Sequence, residues 1–280
     1  MRENKHLLLN AFTLKLVAMS AVIIDHVALL FINPALPLYT FMRVIGRIAF
    51  VLYAFFISEG VIYTKNTNKY LLRIFYLYLI LQALIIGVLL YDPVYELKNI
   101  FATLLAGASL LVYFERKEWQ KVYYLLPFVV LVTINLLAHF TKHAWLIAFA
   151  GDGGLFGLAM ITSFYVARKL AVYLLKRYPL HDTDAENETA NSGQKSAQHM
   201  YNIGCCVSLL FIALIWYILS VYNSDMPDGA LQSFSLISIP LLLLYNGRLG
   251  HSSKAWRIIY YAFYPVHVVL LVVVFIIINL

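Results

Sequence analysis

The sequence predicts an all-α, polytopic integral membrane protein with about nine transmembrane helices. Three observations carry that prediction: charge is scarce, apolar runs of membrane-crossing length recur along the chain, and the basic residues fall on one side of those runs. Hydrophobic residues make up 62% of the 280 positions and charged residues 12%, with a mean hydropathy of +0.78. A soluble domain carries about 25% charge, so this chain lacks the polar surface needed to face water. A helix needs about 20 apolar residues to cross the hydrocarbon core.

Spans are predicted near 12–32, 44–63, 74–90, 99–114, 122–139, 144–166, 201–222, 231–246 and 258–279. The first follows a short basic N-terminus but is interrupted by Lys15, Asp25 and His26. It also lacks an Ala-x-Ala cleavage pattern, so it reads as a retained span rather than a signal peptide. The sixth is broken by Gly151-Asp-Gly-Gly154, which can unwind it locally. The eighth is short and contains Pro240, and so is expected to be tilted, kinked or incomplete. Adjacent Cys205 and Cys206 lie in an apolar run and read as small buried hydrophobes, with no metal expected. The whole of 1–280 is taken as one membrane domain, with a flexible polar cytoplasmic linker at 181–199. No internal repeat is visible, which argues against an inverted-repeat transporter.

The net charge of +7 does not point to nucleic acid, because the basic residues sit in short segments beside apolar spans. With the N-terminus inside, 16 of the 21 lysines and arginines fall in internal segments. Arg43, Lys98 and Lys142 fall in external loops, and Lys15 and Arg47 within spans. That bias predicts a cytoplasmic N-terminus and an external C-terminus.

Charged groups at hydrocarbon depth are costly and mark candidate sites. Lys15 lies one turn inside the first span, where its stem can snorkel. His26 lies roughly 20 Å along the helix, past the midplane, beside Asp25. Arg43 and Arg47 share one face of the second span, and Arg47 is the natural charge partner of Asp25. Glu59, Asp152 and His267 are further candidates for contact with substrate. On the internal side, Lys69 with Arg73 and Arg248 with Lys254 and Arg257 form basic clusters. These suit either anionic lipid or a phosphorylated cosubstrate.

At these residues the chain resembles the TraX family of bacterial inner-membrane proteins, the F pilin acetylase-like group. The stretches that carry the resemblance run in family order. They are Leu14-Lys-Leu-Val-Ala-Met-Ser-Ala-Val-Ile-Ile-Asp-His26, Arg43-Val-Ile-Gly-Arg-Ile-Ala-Phe50, Phe55-Phe-Ile-Ser-Glu-Gly60 with Thr64-Lys-Asn66, and Lys69-Tyr-Leu-Leu-Arg73. Asp152-Gly-Gly-Leu-Phe-Gly157, Leu241-Leu-Leu-Leu-Tyr-Asn-Gly247 and Phe263-Tyr-Pro-Val-His267 follow. The family is in turn similar to acyltransferase-three proteins and to heparan glucosaminide acetyltransferase. The former carry a basic residue, ten residues, then histidine in the first span, as Lys15 and His26 do here.

The resemblance implies a membrane acetyltransferase that uses cytoplasmic acetyl-CoA. The implied acceptor is the amine of a pilin-like peptide or an envelope glycan hydroxyl. His26 would act as general base or acyl carrier, Asp25 as its orienting acid and Arg47 as the oxyanion partner. Lys15, Lys69, Arg73, Arg248 and Arg257 would hold the donor, and Arg43, Glu59, Asp152 and His267 would contact the acceptor. The alternative is a proton-coupled transporter with Asp25, His26 and Asp152 as relay. Oligomeric state is open, and the bacterial inner membrane is the expected location.

Overall fold

The computed structural model describes residues 8–91, 98–116, 119–177, 186–222 and 229–279. Arg2, Lys5 and Lys117, three of the 16 basic residues assigned to internal segments, and positions 181–185 of the expected linker lie outside them. The described residues are all-helical, with two isolated parallel bridges, Leu9 to Tyr245 and Asn99 to Gly151, in place of any strand. Among the described residues, seven helices are long and apolar enough to cross a membrane. They comprise α1 (Ala11–Phe31), α2 (Pro37–Tyr63), α3 (Thr67–Tyr91), α5 (Leu126–Thr141, led in by a 3-10 stretch at Trp119–Leu125) and α7 (Gly154–Arg177), with α8 (Glu186–Tyr222) and α11 (Lys254–Asn279) completing the set.

The two remaining predicted spans are helical but short. One is α4 (Ile100–Arg116); the other is a broken run, α9 (Gly229–Ser233), a 3-10 stretch Phe234–Ser238 and α10 (Ile239–Leu243). The expected sixth span divides as the glycines suggested: α6 (Ala144–Phe149) stops, and α7 begins anew at Gly154. Gly153 has φ +72°, a left-handed conformation that breaks a helix and favours glycine. Residues 186–199, expected within the linker, form the first turns of α8.

Contacts divide the chain into two compact units. The first comprises Met1–Leu52 and Ser163–Trp256; the second comprises Tyr53–Thr162 and Arg257–Leu280. The division falls inside α2, α7 and α11.

In the first unit the start of α1 is tied to the loop after α10. Leu9 N–H donates to the Leu244 carbonyl (3.0 Å), Asn246 N–H to Leu9 (2.8 Å) and Ala11 N–H to Arg248 (2.9 Å). Asn202 of α8 donates its amide to the Leu243 and Tyr245 carbonyls (3.3 and 2.7 Å). Its own Oδ1 accepts from Gln198 (2.8 Å), whose Oε1 accepts from Arg168 (3.0 Å). This polar lattice fixes one end of the unit and displays Arg248 beside the start of α1.

In the second unit, Asn99 explains why α4 is short. Its side chain donates to the Tyr78 carbonyl and to Gln82 (both 3.1 Å) and caps Phe101 N–H (3.0 Å). Tyr78 lies about 16 Å into α3, so α4 starts within the bundle rather than at its edge. The break between α6 and α7 meets it there. Asn99 O accepts from Asp152 N–H (3.2 Å), and Thr103 donates to the Asp152 carbonyl (2.6 Å). Buried backbone at membrane depth needs such partners, and these polar side chains supply them. At the opposite end, Arg116 donates to Thr67 (2.7 Å) and Tyr124 bonds Asn68, bringing together the ends that the basic residues assign to one side.

Candidate functional site

Asn10 caps α1 by accepting from Thr13 N–H (3.0 Å). The helix then buries Ala11, Leu14, Ala18, Ala21, Val22 and Ala28. Spacings of three and four make these one seam, and its small residues let a neighbouring helix approach closely. Asp25 falls on that seam, four after Ala21 and three before Ala28. A carboxylate occupies the place where the pattern calls for an alanine.

Its partners come from α2. That helix begins at Pro37, so Arg43 lies inside it and is buried, not in the external loop where the sequence placed it. The apolar start Pro37-Leu-Tyr-Thr-Phe-Met42 explains the difference, because it extends the span by two turns. Arg43 Nη1 donates to Asp25 Oδ2 at 2.7 Å, and Arg47 Nη2 reaches both carboxylate oxygens at 3.0 and 3.1 Å. Arg47 Nε also donates to the Arg43 carbonyl (3.2 Å), which fixes the guanidinium against its own helix. The expected Asp25–Arg47 pair is present, and Arg43 joins it. Two cations meet on one carboxylate.

Gly46 makes the approach possible. A Cβ there would run into the Asp25 carboxyl group, so the glycine between the two arginines is a steric requirement of the ion pair. Gly46 belongs to the Arg43–Phe50 stretch, where composition alone gives it no role. Spacing was the available signal: it lies three after Arg43 and one before Arg47, on the face the arginines share.

His26 follows Asp25 and points about 100° away around the helix. Lys15 precedes His26 by eleven residues, three turns plus about 20°, so the two lie on one stripe about 16 Å apart along the axis. Asp25 is engaged by arginines, and the stripe of Lys15 and His26 runs alongside that seam. Arg248 stands beyond its N-terminal end, in the loop held by Leu9, Ala11 and Asn202.

The other predicted residues belong to the second unit. Glu59 is buried near the end of α2. Asp152 sits in the break before α7 with its backbone held by Asn99 and Thr103. His267 is buried in α11, its Nδ1 2.9 Å from the Phe263 carbonyl, stacked on Phe263 and edge-on to Tyr264. Arg73 donates to the Lys69 carbonyl (3.1 Å) and lies against Tyr261, with both Arg73 and Lys69 exposed. Arg257 is exposed at the start of α11. In the first unit, Cys205 and Cys206 are buried thiols.

The sequence matches the family described as TraX protein over residues 11–174, more than half of the chain. The chain belongs to the TraX family. The matched stretch contains Lys15, Asp25, His26, Arg43, Gly46, Arg47, Glu59, Lys69, Arg73 and Asp152, and so covers the whole ion-pair cluster. The chain is also similar to the probable fimbrial assembly protein FimC, serogroup H1, of Dichelobacter nodosus. The two are 34% identical over 85 residues, which is 30% of this chain and 35% of that protein. The TraX chain thus aligns with about a third of that relative's length. No solved structure matches it significantly.

Proposed function

We propose that this TraX-family protein is a bacterial inner-membrane acetyltransferase that moves acetyl from cytoplasmic acetyl-CoA to the N-terminal amine of a pilin-like peptide. The observation that carries the reading is the ion-pair cluster of Asp25, Arg43 and Arg47 directly beside His26, on the helix that also carries Lys15. Family membership and the fimbrial relative's name support the pilin-related setting.

In this mechanism the acceptor amine attacks the thioester carbonyl, a carbon–nitrogen bond forms, and the carbon–sulfur bond breaks. His26 takes the proton from the amine and returns it to the departing thiolate, which leaves as free CoA. Negative charge that develops on the carbonyl oxygen is offset by the guanidinium of Arg47. Asp25 fixes the two guanidiniums, a positioning role different from the orienting acid that the resemblance implied. Lys15 and Arg248 are set toward one end of the His26 stripe, where the anionic end of the donor would lie.

The test is acetyl transfer from labelled acetyl-CoA to a synthetic pilin N-terminal peptide by purified protein in lipid nanodiscs. Label should appear on the peptide amine, and His26→Ala should lower the rate by at least about 100-fold. His267→Ala, whose ring is bonded to its own helix, should retain activity. Label absent from the peptide and from every membrane glycan would remove the enzyme reading. It would favour a fimbrial assembly role without chemistry, which the relative's name supports. Accumulation of an unmodified solute would favour transport.

A further inference from the structure

In the second unit, the two faces of α3 meet different surroundings. Leu81 and Ile85 are 3 and 4% exposed, whereas Tyr76 and Ile80 on the other face are 60 and 49% exposed. Lys69 and Arg73 belong to that second face, because Lys69, Arg73, Tyr76 and Ile80 recur at spacings of three and four. An exposed apolar face on a helix long enough to cross a membrane meets lipid. The two cations therefore stand at the headgroup end of a lipid-facing stripe, on the side that the basic residues assign to the cytoplasm.

Arg73 is held in a shape that suits this position. Its Cα lies about 9 Å from the start of α3, yet Nε donates back to the Lys69 carbonyl, which turns the guanidinium toward the headgroups. Nη1 donates to the Tyr261 hydroxyl (3.4 Å), and the guanidinium carbon lies 5.7 Å from the centre of that ring. The contact joins α11 to α3. Arg257 lies one turn nearer the start of α11 than Tyr261, as Lys69 does relative to Arg73 on α3. Lys69, Arg73 and Arg257 are all exposed, and among the described residues no carboxylate pairs with any of them. Three cations at the membrane surface without a counter-charge from the protein call for an anion from outside the chain.

The stripe identifies what carries that anion. A soluble phosphate compound would have to lie against acyl chains to reach Lys69 and Arg73 from this face. A phospholipid presents its phosphate at that level and lays its chains along Tyr76 and Ile80. A zwitterionic headgroup balances its own phosphate, so a surplus of cations favours a headgroup with net negative charge. The planar fork of Arg73 suits a phosphate oxygen pair. We propose that Lys69, Arg73 and Arg257, with Tyr261 holding Arg73 in place, bind the headgroup of an anionic phospholipid of the cytoplasmic leaflet. The site gives to lipid three cations that the resemblance sets on the donor, leaves Lys15 and Arg248 to the donor, and does not depend on acetyl transfer.

The experiment reads lipid bound to the full-length protein by native mass spectrometry, in detergent supplemented with phosphatidylglycerol or phosphatidylcholine. Wild type should retain phosphatidylglycerol and release phosphatidylcholine; equal retention of the two would overturn the anionic assignment. Lys69→Gln with Arg73→Gln should lower the affinity for phosphatidylglycerol about 30-fold, each cation near the surface contributing about fivefold. Lys169→Gln with Lys176→Gln removes the same charge from exposed positions of α7 and should change that affinity little. Equal losses in the two double variants would mean general attraction to charge and overturn the site. Coenzyme A should leave the bound phosphatidylglycerol in place, and displacement by it would return these cations to the donor. Should the Lys69 and Arg73 variant fail to insert, the wild-type protein decides. A trace of phosphatidylglycerol with a photoreactive acyl chain, in phosphatidylcholine nanodiscs, should label residues 72–80 above the other lipid-facing segments. Uniform labelling, or a preference for another helix, refutes the site.

Discussion

Asp25→Asn nearly preserves the shape of the contact between α1 and α2 and removes its negative charge. Asp25 is 15% exposed at the side chain and each arginine 9%, with nitrogen–oxygen distances of 2.7 and 3.0 Å, so solvent screens the cluster weakly. With charge centres roughly 4 Å apart and an effective dielectric of about 20, each guanidinium attracts the carboxylate by about 4 kcal/mol. Repulsion between the arginines and the cost of dehydrating all three groups consume part of that attraction. Loss of one member of a buried pair costs about 3–5 kcal/mol, because the remaining charge stays buried without compensation. The expected result is a drop in unfolding temperature on the order of 10 °C, followed by tryptophan fluorescence and size exclusion in detergent. Asp25→Glu keeps the charge and should lose less.

Arg43→Met placed on Asp25→Asn should recover part of the loss, since one uncompensated cation disappears with it. Gly46→Ala should act like a mild Asp25 variant, because the new methyl displaces the carboxylate without removing it. An Asp25→Asn protein within about 1 kcal/mol of wild type, the range of exposed ion pairs, would refute the buried-cluster argument.

Three further outcomes are expected. Asn202→Ala leaves the Leu243 and Tyr245 carbonyls without its amide and should cost about 1–3 kcal/mol, read by the same unfolding assay. Neutralising Arg248 should raise the KM for acetyl-CoA and spare kcat, the mark of lost ground-state binding. An unchanged KM in correctly inserted protein would reduce Arg248 to a topology signal. A reporter active only outside the cytoplasm should work when fused at Leu280 and stay silent at position 190; the reverse pattern would overturn the orientation.

Composition and periodicity were sufficient for the fold class, because a chain this poor in charge has few ways to satisfy its backbone other than helices in lipid. The break at 151–154 was legible too, since clustered glycines act locally on φ and ψ. The lengths of the individual helices were not. Hydropathy counts apolar residues, and α4 and 229–243 are apolar enough to resemble spans. That α4 starts within the bundle depends on Asn99 reaching the Tyr78 carbonyl, a contact across 21 positions of sequence.

The site divides in the same way. Asp25, His26 and Arg47 stood out because charge at hydrocarbon depth is expensive wherever it occurs, and that cost is a property of the residue and its span. Arg43 was misplaced because the start of α2 was read two turns late. The role of Gly46 was invisible because an absent side chain acquires meaning only when another helix occupies its space. Sequence determined which groups must be buried in the membrane. Tertiary structure decided which of them meet, because burial follows from local composition whereas pairing depends on helices brought together from distant parts of the chain.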